Sequence, residues 1–107
     1  MVRFEWDEAK AHSNERKHSV RFEDAMLVFA DPFALVEQDR IECGELRWQT
    51  LGMAGGIVML LVAHTVHEEG EDEVIRIISA RKASRKESAR YDENRKKENA
   101  GSPYSKD

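Results

Sequence analysis

Cys43 is the only cysteine in the chain, so no internal disulfide can form. No cation or base stands beside it in sequence to activate a thiolate, which points to a structural role. Long apolar runs are also missing. The longest, Ile57–Ala63, falls far short of the ~20 residues that cross a bilayer. The N-terminus, MVRFEWDEAK, is charged within three residues and has no apolar core of a secretory signal. Together these absences describe a soluble protein of a reducing cytoplasm, without a membrane partner. The chain has no internal repeat, no low-complexity segment, no glycine-rich phosphate loop and no defensible Ser-His-Asp order. Metal-ligand spacing is nearly absent too. His64-x-x-His67, flanked by Glu68 and Glu69, is the one weak candidate, and it lacks a third clear ligand. Neither a metal nor another cofactor is expected.

Charge is plentiful, and it is segregated. The chain carries 36% charged residues and a net charge of −4 over 107 residues, enough chain for one domain with a modest core. Residues 74–97 hold nine Lys and Arg against three acids, a balance of +6. Residues 1–73 hold seven basic and sixteen acidic side chains, a balance of −9. An acidic protein with one strongly basic segment has a candidate surface for a polyanion despite its net charge.

The hydropathy pattern predicts an α+β fold. Phe4–Trp6 reads as a short β-segment. Asp7 stands at the N-cap of a helix running to about Lys17, with Trp6 and Ala11 placed as a hydrophobic staple and Arg16-Lys17-His18 in the last turn. Its apolar face is thin, so a surface position is expected. A second helix is predicted over Phe22–Phe29, where Phe22, Ala25, Met26 and Phe29 recur at i, i+3, i+4 and i+7. Asp31-Pro32 ends it. Strands follow at Phe33–Gln38, Glu45–Met53, Ile57–His64 (apolar on both faces, hence central) and Val74–Ala80. Polar connections are expected at Asp39–Gly44 and His67–Glu73, and a glycine turn at Ala54-Gly55-Gly56. Ser84-Arg85-Lys86-Glu87 is a capping box that opens a basic final helix. Short links favour antiparallel pairing. The expected architecture is an antiparallel meander with two N-terminal helices packed on it. The expected domain is 1–98, with a flexible tail at 99–107.

Within this frame Arg76 is unusual, because an arginine flanked by Ile75 and Ile77 in a strand needs an acidic partner or an anionic ligand. In a regular strand, Arg76 and Ser79 lie on opposite faces. Ser79 and Arg81 are placed at the strand-to-helix junction, where free N–H groups attract anions. Lys82, Arg85 and Lys86 add positive field around it. His64, at the end of the central strand, and Lys17, at the end of the first helix, are candidates for proton transfer.

The residues also resemble a known family. Phe4-Glu5-Trp6-Asp7-Glu8-Ala9-Lys10, Asn14, Lys17-His18 and Phe22-Glu23-Asp24-Ala25 look like the start of the BrnT toxins. Arg47–Gly52, His64-Thr65, Arg76–Glu87 and Tyr91 match the rest, so the resemblance spans roughly residues 3–95. It implies a RelE-like fold and the toxin role of a bacterial type II toxin–antitoxin pair. It further implies a metal-independent endoribonuclease that inhibits translation. The implied partner is a BrnA-like ribbon-helix-helix antitoxin, and the pair represses its own operon, so DNA is met only through the antitoxin. The implied catalytic residues are Arg76, Ser79 and Arg81, with His64 and Lys17 beside them; the charge reading adds Lys82, Arg85 and Lys86 as the expected RNA contacts. Many such toxins are basic overall, whereas this chain is acidic, chiefly through Glu68–Glu73. The alternatives are a non-catalytic binding module and an inactivated toxin kept as a co-repressor subunit. For the antitoxin, the basic 74–97 surface and the strand edge at Phe33–Gln38 are the expected contacts.

Overall fold

The computed structural model describes the backbone of residues 1–100 and the side chains of residues 1–97. Among these, five strands form one sheet: β1 (Val2–Glu5), β2 (Leu35–Glu42), β3 (Glu45–Ala54), β4 (Val58–Glu69) and β5 (Asp72–Lys82), in the order β1-β5-β4-β3-β2. Strands β2 to β5 make the expected antiparallel meander. The N-terminal strand corrects the rest of the expectation. It pairs parallel to β5, Val2 opposite Glu73 and Glu5 opposite Arg76, so the sheet is mixed. The chain between β1 and β2 carries the helices, long enough to permit this crossover.

The strands run further than their hydropathy suggests, because tight turns close the hairpins, of two residues after β2 and β4 and of three after β3. Cys43 and Gly44 both take positive φ (54° and 76°), and so do Gly55 and Gly56 (60° and 72°). Such turns match the twist of the flanking strands. The polar residues 39–42 and 67–69 therefore belong to strands rather than loops, with the β2–β3 register broken at residues 39–40. At the far end, β5 continues through Ser79-Ala80-Arg81 to Lys82. The strand-to-helix junction lies at Ala83-Ser84, and Ser79 and Arg81 belong to the strand.

Three helices are described: α1 (Glu8–His18), α2 (Phe22–Ala25) and α3 (Arg85–Ala100), with a 3₁₀ turn at Met26–Ala30. Asp7 caps α1 as expected, its Oδ1 accepting from the Ala9 and Lys10 N–H groups at 2.8 and 3.2 Å. The predicted second helix splits. From Met26 the winding tightens toward three residues per turn, so Phe22, Ala25 and Val28 line up and are fully buried, instead of the set ending at Phe29. They pack with Val20 on Ala54, Leu60, Val62, Ile77 and Ala80. Each large side chain buried there contributes about 1.5–3 kcal/mol. The opposite face carries a smaller cluster, Leu51, Leu61 and Tyr91, with Phe33, Leu35 and Met53 at its margin. Strand β4 lies centrally and is buried on both sides at Leu60, Leu61 and Val62, as its double-faced hydrophobicity implies.

Helix α3 opens on the predicted capping box: Glu87 Oε1 accepts from the Ser84 N–H at 2.8 Å and Ser84 Oγ from the Glu87 N–H at 3.2 Å. Polar ties then hold it down. Tyr91 donates its hydroxyl to Asp31 at 2.6 Å, Arg90 pairs with Glu37 at 3.3 Å, and Arg95 sits 5.0 Å over the Phe33 ring. The helix reaches Ala100, and the rest of the expected tail lies outside the described residues.

Candidate active site

Where β1 ends, α1 takes over the free edge of β5. Asn14, buried in the middle of α1, replaces a missing strand there. Its Nδ2 donates to the carbonyls of Ala80 (2.9 Å) and Val20 (3.0 Å), and its Oδ1 accepts from the Ala80 N–H (3.0 Å). Three buried backbone groups are thereby satisfied. This docking sets which stripe of α1 faces β5. Lys10, Ser13, Asn14, Lys17 and His18 recur at i, i+3, i+4, i+7 and i+8, the spacing of a buried helical face written in polar residues.

Opposite this stripe, β5 is irregular. Ala63 pairs with Ser79 but His64 pairs with Ile77, so Ile78 is an extra residue, a β-bulge. Because Ala63 and Thr65 share one face of β4, their partners Ser79 and Arg76 share it too. The bulge thus brings together two side chains that a regular strand separates. Arg81, opposite Leu61, also emerges on this face, while Ile77 and Ala80 stay in the helix-covered core.

Two adjoining hollows result. One, of about 120 Å³, is lined by Asp7, Lys10, Arg47, Arg76, Ile77 and Ile78. The other, of about 150 Å³, is lined by Lys10, Lys17, His18 and Ser79 with Ser13, Asn14 and Ile78. Lys10 and Ile78 border both. Larger hollows exist elsewhere. One of about 470 Å³ lies under Tyr91 and Arg95, and one of about 410 Å³ lies between β2 and α3. The first is mainly apolar, and its Asp31 is already engaged by Tyr91 and by the Met53 and Phe33 N–H groups. In the second, the cations Lys86, Arg90 and Lys97 lie among Glu37 and Glu93, and Arg90 is paired with Glu37. The smaller pair gathers Lys10, Lys17, Arg47 and Arg76 against the single lining carboxylate of Asp7 and is the better candidate for chemistry on an anion.

The cations there are held but not used up. Arg76 Nη2 donates to Glu45 at 2.8 Å, with both side chains nearly half exposed, so the pair stabilises little and leaves most of the guanidinium donors free. Arg47 is only 17% exposed, its nearest carboxylate oxygen is at 4.0 Å, and its Nε is buried with no protein partner. A buried donor left unpaired costs about 1–3 kcal/mol, so it calls for a reason, and a bound anion is one that the neighbouring Arg76 favours.

The expected site residues therefore divide. Arg76, Ser79 and Lys17 come together at these hollows. Arg81 does not join them. It pairs on β4 with Leu61, four residues from Thr65, the partner of Arg76, roughly 13 Å at about 3.3 Å per residue. Its fork is closed on Glu87 by two 2.9 Å bonds. That fork holds the Glu87 carboxyl down at about 2, and Glu87 in turn raises Arg81. Arg81 secures α3. His64 points to the other side of the sheet. It is 2% exposed, bonded to Thr50 Oγ1 at 2.8 Å and set edge-on to Phe29 at 4.9 Å. Burial pushes its pKa down to about 4, and it is a core residue. Its suggested metal partner, His67, bonds instead to Glu69 at 3.0 Å. Lys82 turns to the face away from Arg81, and Arg85 and Lys86 lie exposed on the first turn of α3. The basic segment is therefore split rather than gathered.

The hollows also hold Arg47, Lys10 and His18, which the sequence reading does not single out as site residues. Arg47 carries the signal that singled out Arg76, a cation between apolar strand neighbours (Leu46 and Trp48). The α1 residues carry theirs in the polar stripe.

Comparison with known proteins adds the family. The profile described as "Ribonuclease toxin, BrnT, of type II toxin-antitoxin system" matches residues 6–87. No curated relative matches the chain. The crystal structure of the ribonuclease toxin BrnT from Brucella abortus is similar with a TM-score of 0.54 and 23% identity, over 79% of this chain and 99% of that one. That likeness supports the fold, an α+β domain on a five-stranded sheet. The profile spans most of the chain and takes in every strand but β1, which precedes it: the protein belongs to the BrnT family of ribonuclease toxins of type II toxin–antitoxin systems.

Proposed function

We propose that the protein is a metal-independent endoribonuclease that cuts RNA in the groove between α1 and the bulged β5, thereby inhibiting translation. The observation that carries this reading is the convergence of Lys10, Lys17, Arg47 and Arg76 with Ser79 on one side of the sheet. RNA supplies its own nucleophile. The 2′-oxygen bonds to phosphorus while the bond from phosphorus to the 5′-oxygen breaks, leaving a 2′,3′-cyclic phosphate and a 5′-hydroxyl. Charge develops on the phosphoryl oxygens in between. Arg47 and Arg76 form the fork that meets this charge, and Lys10 shares it from the other wall. The Ser79 hydroxyl donates to a phosphoryl oxygen. Arg76 gives up its weak exposed tie to Glu45 or keeps it while turning other donors to the ligand.

Membership of a type II toxin family implies an antitoxin partner. In this reading it is a BrnA-like ribbon-helix-helix protein that neutralises the toxin, and the complex represses its own operon. The basic groove suits an acidic antitoxin segment for the same reason that it suits RNA.

Purified protein incubated with RNA in excess EDTA tests the central reading. Fragments ending in 2′,3′-cyclic phosphate, formed at the same rate with and without EDTA, are expected. Intact RNA at high protein, with the protein still retaining RNA on a filter, favours the binding module instead.

A further inference from the structure

We infer that His18 is the residue that takes the proton from the 2′-hydroxyl, an inference that rests on the ribonuclease reading above. The chain has four histidines. His64 is sealed in the core on the far side of the sheet, and His67 is engaged with Glu69. His12 is exposed on α1 and falls outside the stripe that faces β5. Among the described residues His18 alone lines the hollow that holds Ser79 and Lys17, and it is half-buried there.

The surroundings suit a base. From α1, Lys10 and Lys17 face the same hollow, and β5 contributes Ile78 and Ser79, which carry no charge. No carboxylate lines it. The adjoining hollow across Lys10 carries Asp7, Arg47 and Arg76. Asp7 is engaged there by the Ala9 and Lys10 N–H groups, and so is occupied as the helix cap. Imidazole is the side chain that accepts and releases a proton near neutral pH. The proton passes from the 2′-hydroxyl to the ring as the 2′-oxygen bonds to phosphorus. The 5′-oxygen leaves with a proton drawn from water, since the hollow is open to solvent, and the hydroxide so formed is neutralised by the imidazolium.

Single-turnover cleavage by wild type, His18→Asn and His18→Gln across pH, with folding checked by circular dichroism, tests the inference. A general base predicts an ascending pH limb in wild type, a loss of about 10²–10³-fold in both variants, and flattening of that limb. Added imidazole restores at least about tenfold of the rate, and affinity for a 2′-deoxy analogue that cannot be cut stays within about threefold of wild type. Variants that cut within threefold of wild type, or keep the ascending limb, overturn the assignment while leaving the ribonuclease reading intact. Loss of analogue binding without loss of bound-state rate also overturns it. Wild type that cuts no RNA at any pH overturns both.

Discussion

Replacing Asn14 by Ala tests how the groove is built. The side chain closes three bonds, to Val20 O, Ala80 O and Ala80 N, all between 2.9 and 3.0 Å and all buried. A typical bond contributes about 1 kcal/mol net, and a stranded buried partner costs about 1–3 kcal/mol. Water entering the cavity rescues part of that, so the expected loss is about 3 kcal/mol. For a domain of this size, about 4–8 °C of melting temperature per kcal/mol makes the drop roughly 15 °C. Urea unfolding at equal m-value measures the energy. Amide exchange at Ala80 measures the local consequence, because the edge of β5 is then open. Functionally, Lys10, Lys17 and His18 lose their fixed distance from Ser79, so cleavage by the remaining folded fraction also falls. A loss below about 1 kcal/mol refutes the claim that Asn14 holds α1 to the sheet in place of a strand.

Two further predictions concern pH. Glu87 is held at about 2 by the Arg81 fork and the Ser84 N–H, below its unfolded value near 4.3, so its stabilisation is present above that value and lost as pH falls through about 2. Arg81 is partly exposed and screened, so Glu87→Gln costs about 1 kcal/mol at neutral pH, and urea midpoints of variant and wild type converge as the pH falls from about 4 toward 2. His64 is neutral in the folded core, with its pKa at about 4, whereas the unfolded chain takes up a proton near pH 6.5. Stability from this group is therefore lost as pH falls from about 6.5 to about 4, up to about 3 kcal/mol, and His64→Gln removes that part of the slope in calorimetry. Its cleavage rate per folded molecule stays near wild type, unlike that of the His18 variants.

The parts of the fold that rest on local chemistry were legible in the sequence. The Asp7 cap, the Ser84–Glu87 box and the Gly55-Gly56 turn each depend on neighbouring residues, and each stands where predicted. Double-faced hydrophobicity correctly placed β4 at the centre. What failed depends on distant partners. Nothing in Val2–Glu5 says that its partner is β5 rather than the next strand. The polar strand ends of β2, β4 and β5 are strand because a neighbour completes their hydrogen bonds, which hydropathy does not record.

The site shows the same division. Arg76 was singled out by its apolar flanks, and the structure places it in the groove. Ser79 was assigned to the wrong face because the Ile78 bulge breaks the two-residue period on which the assignment rested. Arg81 looks like a free cation in the sequence because the spacing marks its partner, Glu87, only as a helix cap, although Glu87 serves both roles. His64 drew attention as a histidine ending an apolar strand, but that same apolar setting buries it.

The proposed mechanism places RNA cleavage where Arg47 and Arg76 face α1. Single-turnover cleavage by wild type and by Arg47→Ala, Arg76→Ala and Arg81→Ala, each normalised to folded protein, tests it most directly. Losses of about 10²–10³-fold are expected for Arg47→Ala and Arg76→Ala, and of less than about tenfold for Arg81→Ala. Cleavage abolished by Arg81→Ala and unchanged by the other two contradicts it.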